Sequence, residues 1–207
     1  MMGDDGPRLW DGAPAGEQER QAAMSTADLE LWILFSLLVA GKSEAFATKV
    51  LSRLVDWGRP FDSLRDRRTD RGGLAAWLKA CGTGRYAVIE AAVNRLLAGA
   101  IADLATCTVA DLEAVPGVGP KTAHMFLLKT RPGARYAALD RHVLAWLRRQ
   151  GHDVPLSTPT GPRYRAVEVL FLSIADTLDL DPAALDYAIW DTYARRAKKR
   201  KVTHHGG

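Results

Sequence analysis

Nowhere in this chain do apolar and polar residues alternate with period two over the length of a strand. Apolar residues recur instead three and four positions apart, in blocks separated by Gly and Pro. Such spacing gives each block one apolar helical face, and the missing alternation removes half-buried strands from the choices. The pattern predicts an all-α fold of about eight to ten helices of ordinary length.

The blocks begin and end on recognisable chemistry. Ser25 followed by Asp28 makes a helix start before the apolar run at 31–40, which Gly41 breaks. Ser43 opens a second helix to Asp56, with Phe46, Val50, Leu51, Leu54 and Val55 on one face, and Gly58 and Pro60 close it. A short helix is predicted at 73–80, then a turn at Gly82-Thr83-Gly84 and a long helix from about 85 to 98. Thr108 and Asp111 have the spacing of a capping pair. After a tight turn at 115–119, Pro120 suits the first position of a helix that Pro132-Gly133 ends. Asp140 can cap the next helix, to Gln150. A loop at 155–162 precedes helices at about 163–178 and 182–196, the last opened by Asp181 and Pro182.

Composition narrows the class further. With 207 residues, 47% apolar and 25% charged, the chain suits one domain or two small lobes and is neither collagen-like nor mostly disordered. The longest apolar run is about half of the ~20 residues a membrane helix needs. Residues 1–25 are acidic and Gly-rich without a basic start, and are expected to be a mobile extension rather than a secretory signal. Cys81 and Cys107 are too few for a disulfide framework or a four-cysteine metal site, which points to a reducing, cytoplasmic setting. The formal charge is +4, yet residues 195–201 (RRAKKRK) hold six of the 28 basic residues. Without them 22 basic residues face 24 acidic ones, so the basic character sits in a C-terminal tail at 195–207, which either touches nucleic acid or is simply solvated.

Residues 112–144 carry the chemistry. In Pro116-Gly117-Val118-Gly119 the glycines permit positive φ and leave the backbone bare just before a helix start. Unpaired N–H groups there suit a phosphate oxygen, although the same residues also make a plain turn. Lys121 falls in the first turn of the following helix, where the dipole disfavours a cation and burial would favour the neutral, nucleophilic amine. The alternative is a surface lysine that adds one phosphate contact. Asp140 lies 19 residues further on, after a helix and a turn, a spacing that lets both side chains face one cleft. It can equally be only an N-cap. His124 and His142 fall near these two, without the further ligands a metal site requires, and no metal is assigned.

The run 115–123 (VPGVGPKTA) followed by Leu139-Asp140-Arg141-His142 resembles the helix-hairpin-helix DNA glycosylase superfamily, in particular its bifunctional glycosylase/AP lyase members. Residues 185–190 (LDYAIW) and 81–86 extend the resemblance to the short 8-oxoguanine DNA glycosylases that lack an iron–sulfur cluster, over roughly 29–193. The resemblance implies a two-lobed fold, with a glycosylase domain at 26–194 and the hairpin at about 112–130. It implies Lys121 as nucleophile on the sugar C1′ and Asp140 as the assisting carboxylate. It implies Gly117, Val118, Gly119, Thr122, Lys42 and Arg141 on DNA phosphates, and a base pocket of Trp190, Arg85, Tyr86 and His124. The implied partner is double-stranded DNA with a damaged or modified base, bound by a monomer without membrane contact. No cofactor is implied beyond a structural monovalent cation at the hairpin.

Three features depart from the short glycosylases. Arg85 stands where they place an aromatic, followed by Tyr86. The chain runs well past Trp190, so its terminal carboxylate is not at their lesion-reading position. Residues 39–43 (VAGKS) replace a Gln- or Asn-bearing segment that probes DNA. They carry a weak likeness to phage proteins of this fold associated with thymine hypermodification. Two alternatives therefore stay open: such a modifying enzyme on the same scaffold, or a non-catalytic DNA-binding protein.

Overall fold

A computed structural model describes residues 24–67 and 73–203, with side chains described as far as Tyr193. The expected extension at 1–25 lies almost wholly outside the described residues, as does the His204-His205 pair. Among the described residues there are ten helices and no strand, as the periodicity predicts. The chain divides into two compact units, 1–126 and 127–207.

The first unit is built on α1 (Thr26–Leu38). Ser25 and Asp28 close a reciprocal capping box at its start. Its apolar run is buried on every side from Leu31 to Leu38, so α1 is a central helix and not an amphipathic one. Around it pack α2 (Glu44–Leu54), α3 (Pro60–Arg67) and α5 (Tyr86–Leu97), while α4 (Gly73–Ala80) lies on α5. The helix α3 corrects the sequence reading, in which Pro60 closes α2 and nothing follows. Pro60 occupies the first position of α3, where its missing N–H costs nothing. Only Phe61 and Leu64 of α3 face the core besides that proline, too few for a visible period. Glu30 of α1 accepts the Phe61 N–H at 3.0 Å and so docks the start of α3. Burial raises the Glu30 pKa, against that hydrogen bond. The short α6 (Val109–Glu113) carries the Thr108/Asp111 capping box and leads through the turn into α7 (Pro120–Thr130), whose first seven residues belong to this unit.

The second unit comprises the end of α7, α8 (Arg141–Arg149), α9 (Gly161–Thr177) and α10 (Pro182–Thr203). Its core gathers Leu139, Leu144 and Leu147 with Tyr164, Phe171 and Ile189. Lys129, at the end of α7, makes a 2.8 Å ion pair with Asp186 of α10, both nearly buried. The sequence reading ends the last helix near 196, but α10 continues to Thr203. Its basic residues favour helix about as well as those before them, so the change of composition at 195 does not break it.

Between α7 and α8 the chain is irregular from 134 to 140 and has no strand to pair with. Side chains satisfy its backbone instead. Glu168 accepts the Ala137 N–H at 2.8 Å. The Tyr164 hydroxyl donates to the Ala137 carbonyl at 2.6 Å and accepts the Leu139 N–H at 3.3 Å. The Thr158 hydroxyl donates to the Leu139 carbonyl at 2.8 Å. Three positions from α9 and the loop before it thus fix the approach to Asp140.

Candidate active site

The turn between α6 and α7 is seated by three buried apolar side chains, Leu112, Val115 and Val118. The Val118 N–H donates to the Val115 carbonyl at 3.0 Å. Gly117 has φ +82°, which a side chain rarely adopts, and a Cβ there would collide with Val88 of α5. Gly119 faces open space. Its carbonyl accepts from the N–H groups of Thr122 and Ala123, each at 3.0 Å, and so starts α7. Neither the Gly117 nor the Gly119 N–H finds an acceptor among the described residues. Two backbone donors at a helix N-terminus make an anion site.

This arrangement sorts the predicted phosphate contacts. Gly117 and Gly119 carry the open N–H groups. The N–H groups of Val118 and Thr122 are used within the chain, and both residues are buried. Lys42 donates to the Gly82 carbonyl at 2.9 Å and lies 5.0 Å from the centre of the Phe46 ring. It therefore ties the turn after α1 to the turn before α5. Arg85 reaches from the start of α5 to the hairpin. Its guanidinium Nη2 donates to the Gly117 carbonyl at 3.4 Å, next to the hairpin. Tyr86 opens α5 with its ring under the Lys79 amine, 5.9 Å from the ring centre.

Lys121 is the second residue of α7 and is partly exposed. Its amine donates to the Met125 sulfur at 3.0 Å, one turn along. His124 is buried, with Nδ1 2.7 Å from the Pro120 carbonyl, so Nδ1 carries the proton and the ring is held to its own helix. The hairpin donors thus directly precede the helix that carries Lys121 in its first turn.

In the second unit Asp140 is the N-cap of α8, as its sequence position predicts. Its Oδ1 accepts the N–H groups of His142 and Val143 at 2.8 and 2.9 Å, while Oδ2 takes neither bond. Arg141 is exposed, and its Nε donates to His142 Nε2 at 3.3 Å. That bond needs an unprotonated Nε2. Burial pushes the His142 pKa below its ordinary value of 6.5, the Asp140 charge opposes this, and Arg141 adds to it. The ring lies against Tyr193 of α10, centroids 4.9 Å apart. Trp190 is partly exposed beside Tyr187, rings 6.2 Å apart and 26° from parallel.

Met125, Thr158, Tyr164 and Glu168 do not stand out in the sequence. Met125 carries one signal there, its place four residues after Lys121 on one helical face. The other three meet their partners only through the fold. Among the described residues no three His, Cys, Asp or Glu side chains gather as a metal site, and no helix is long and apolar enough to cross a membrane.

Residues 101–129 match the helix-hairpin-helix motif family. The fold is similar to the crystal structure of the Methanocaldococcus jannaschii 8-oxoguanine DNA glycosylase, with a TM-score of 0.64 and 21% sequence identity over 86% of this chain and 83% of that one. The chain carries a helix-hairpin-helix motif within the all-helical fold of a helix-hairpin-helix DNA glycosylase.

Proposed function

We propose that the chain is a DNA glycosylase with AP lyase activity, acting on a damaged or modified base in duplex DNA. The observation that carries this reading is the hairpin turn, whose two open N–H groups directly precede α7 with Lys121 in its first turn. The donors hold a phosphate of the target strand, and the target nucleotide flips out because its glycosidic bond is unreachable inside the stack. Lys121, as the neutral amine, attacks C1′. The C1′–N bond breaks, and the base leaves with the bonding pair and takes up a proton. The aminal opens to a Schiff base, and loss of a C2′ proton expels the 3′ phosphate. Asp140 stabilises the positive charge that develops on the sugar. Its cap role is compatible with this, since only Oδ1 is used for the cap. Arg141 supports strand binding, and Trp190 offers a stacking face for the base. No step runs through a metal or cofactor.

The relative with a similar fold acts on 8-oxoguanine. We infer a different base preference here, because Arg85 is held at the hairpin carbonyl in place of an aromatic that could sandwich the base. The test is a panel of matched duplexes carrying 8-oxoguanine, oxidised pyrimidines, 5-hydroxymethyluracil or an abasic site, with and without borohydride. Base release and a trapped adduct on at least one modified base are expected, with little discrimination of 8-oxoguanine from guanine. Lys121→Gln should remove the adduct and leave duplex binding intact; an undiminished adduct in this variant would exclude Lys121 as the nucleophile. Adducts without base release would favour a modifying enzyme instead.

A further inference from the structure

Arg85 stands at the N-cap of α5 and makes no side-chain cap there. A cation at a helix start is opposed by the helix dipole, so helix stability does not account for it. Its bond to the Gly117 carbonyl spans 32 residues and is long at 3.4 Å. A carbonyl needs no full charge in its donor, and the rigid guanidinium fork has further N–H groups besides the one used here. Lys42 is placed in the same manner. Its amine donates to the Gly82 carbonyl at 2.9 Å and lies 3.8 Å from where a Cβ on Gly84 would stand. The turn at 82–85 thus has a cation at each end, and among the described residues neither cation meets a carboxylate. Carboxylates are not scarce, since 24 acidic residues face 22 basic ones outside 195–201. Two like charges on one short turn repel each other, and anchoring them on neutral carbonyls leaves both charges for an outside anion.

We propose that the turn at 82–85 is a second phosphate-binding element of the first unit, in which Lys42 and Arg85 take backbone phosphates beside the one held at the hairpin. This rests on the reading that the chain binds duplex DNA. Arg85 adjoins the open Gly117 N–H through its bond to that residue, so the two elements are neighbours. Arg85 then serves the strand backbone in place of the base-pocket role that the resemblance implies, and its contribution does not depend on which base is modified.

The test is the affinity of the full chain for an undamaged, fluorescein-labelled duplex, measured by anisotropy over a series of salt concentrations. Arg85→Gln keeps an amide donor for the Gly117 carbonyl and removes the charge, and Lys42→Gln removes the other charge. Each should lower the slope of log K against log salt by about 0.9, and the double variant by about 1.8. The loss of affinity should be equal on undamaged and abasic duplexes. Arg85→Lys keeps the charge and should hold the slope near that of the parent. Lys49→Gln, which removes an exposed charge elsewhere on α2, should leave the slope unchanged and so controls for net charge. Thermal melting establishes that each variant is folded. Parental slopes in both Arg85→Gln and Lys42→Gln would overturn the proposal. Weaker binding at a parental slope would overturn it too, since that marks a role in holding the turns alone. So would an equal loss of slope in Lys49→Gln, or a loss confined to the abasic duplex, which would return Arg85 to the lesion. If the slopes fall as expected but borohydride traps no duplex, the catalytic reading fails and the second phosphate element stands. If the parent is trapped and the slopes stay parental, the element fails and the catalytic reading stands.

Discussion

Gly117 and Gly119 stand two residues apart in one turn and answer to different constraints. Gly117 combines φ +82° with a Cβ direction blocked by Val88. Gly117→Ala should therefore destabilise the protein by about 1–3 kcal/mol in urea unfolding, with weaker duplex binding as the turn shifts. Gly119→Ala meets open space and should stay within about 0.5 kcal/mol of the parent. Equal costs at both positions would contradict this account of the turn. Asp140 permits a similar separation of roles. Asp140→Asn keeps a cap oxygen and should leave stability nearly unchanged, while turnover falls by roughly 10²-fold or more. Asp140→Ala should lose turnover as much and about 1 kcal/mol of stability besides. A near-parental single-turnover rate in Asp140→Asn would reduce the carboxylate to a helix cap.

At the scale of elements, most helices are legible in the sequence because their punctuation is local. Ser25 with Asp28 and Thr108 with Asp111 close capping boxes across three residues, and Asp140 caps from its own position. Pro60 is ambiguous for the same reason, since a proline ends one helix and starts another with equal ease. The irregular segment at 134–140 is the opposite case. Its order depends on Tyr164, which lies 27 residues from Ala137 and 25 from Leu139. Tyr164→Phe should cost about 1–2 kcal/mol, the scale of a buried carbonyl deprived of its hydroxyl donor. It should also slow trapping on an abasic duplex, since the same bonds fix the approach to Asp140. Unchanged unfolding in denaturant would show that Glu168 and Thr158 suffice.

At the scale of the whole molecule, charge is concentrated while the fold is distributed. Six basic residues at 195–201 turn a slightly acidic chain into one of +4. Replacing those six with Gln should weaken binding to all duplexes alike. The slope of log K against log salt should fall by about 0.9 for each DNA phosphate that the variant no longer neutralises. Weakening confined to lesion-bearing duplexes would show instead that this segment reads the base. The helical class, the hairpin turn and the cap at Asp140 can all be read from the chain as written, because caps, prolines and glycine turns act within a few residues of themselves. The acceptor for Arg85 cannot, since Gly117 is 32 residues away, nor can the tie of Lys42 to Gly82 across 40. Those pairings are set by how the core of the first unit closes. Packing distant segments against each other is a property of side-chain shape and burial, which no local preference in the sequence records.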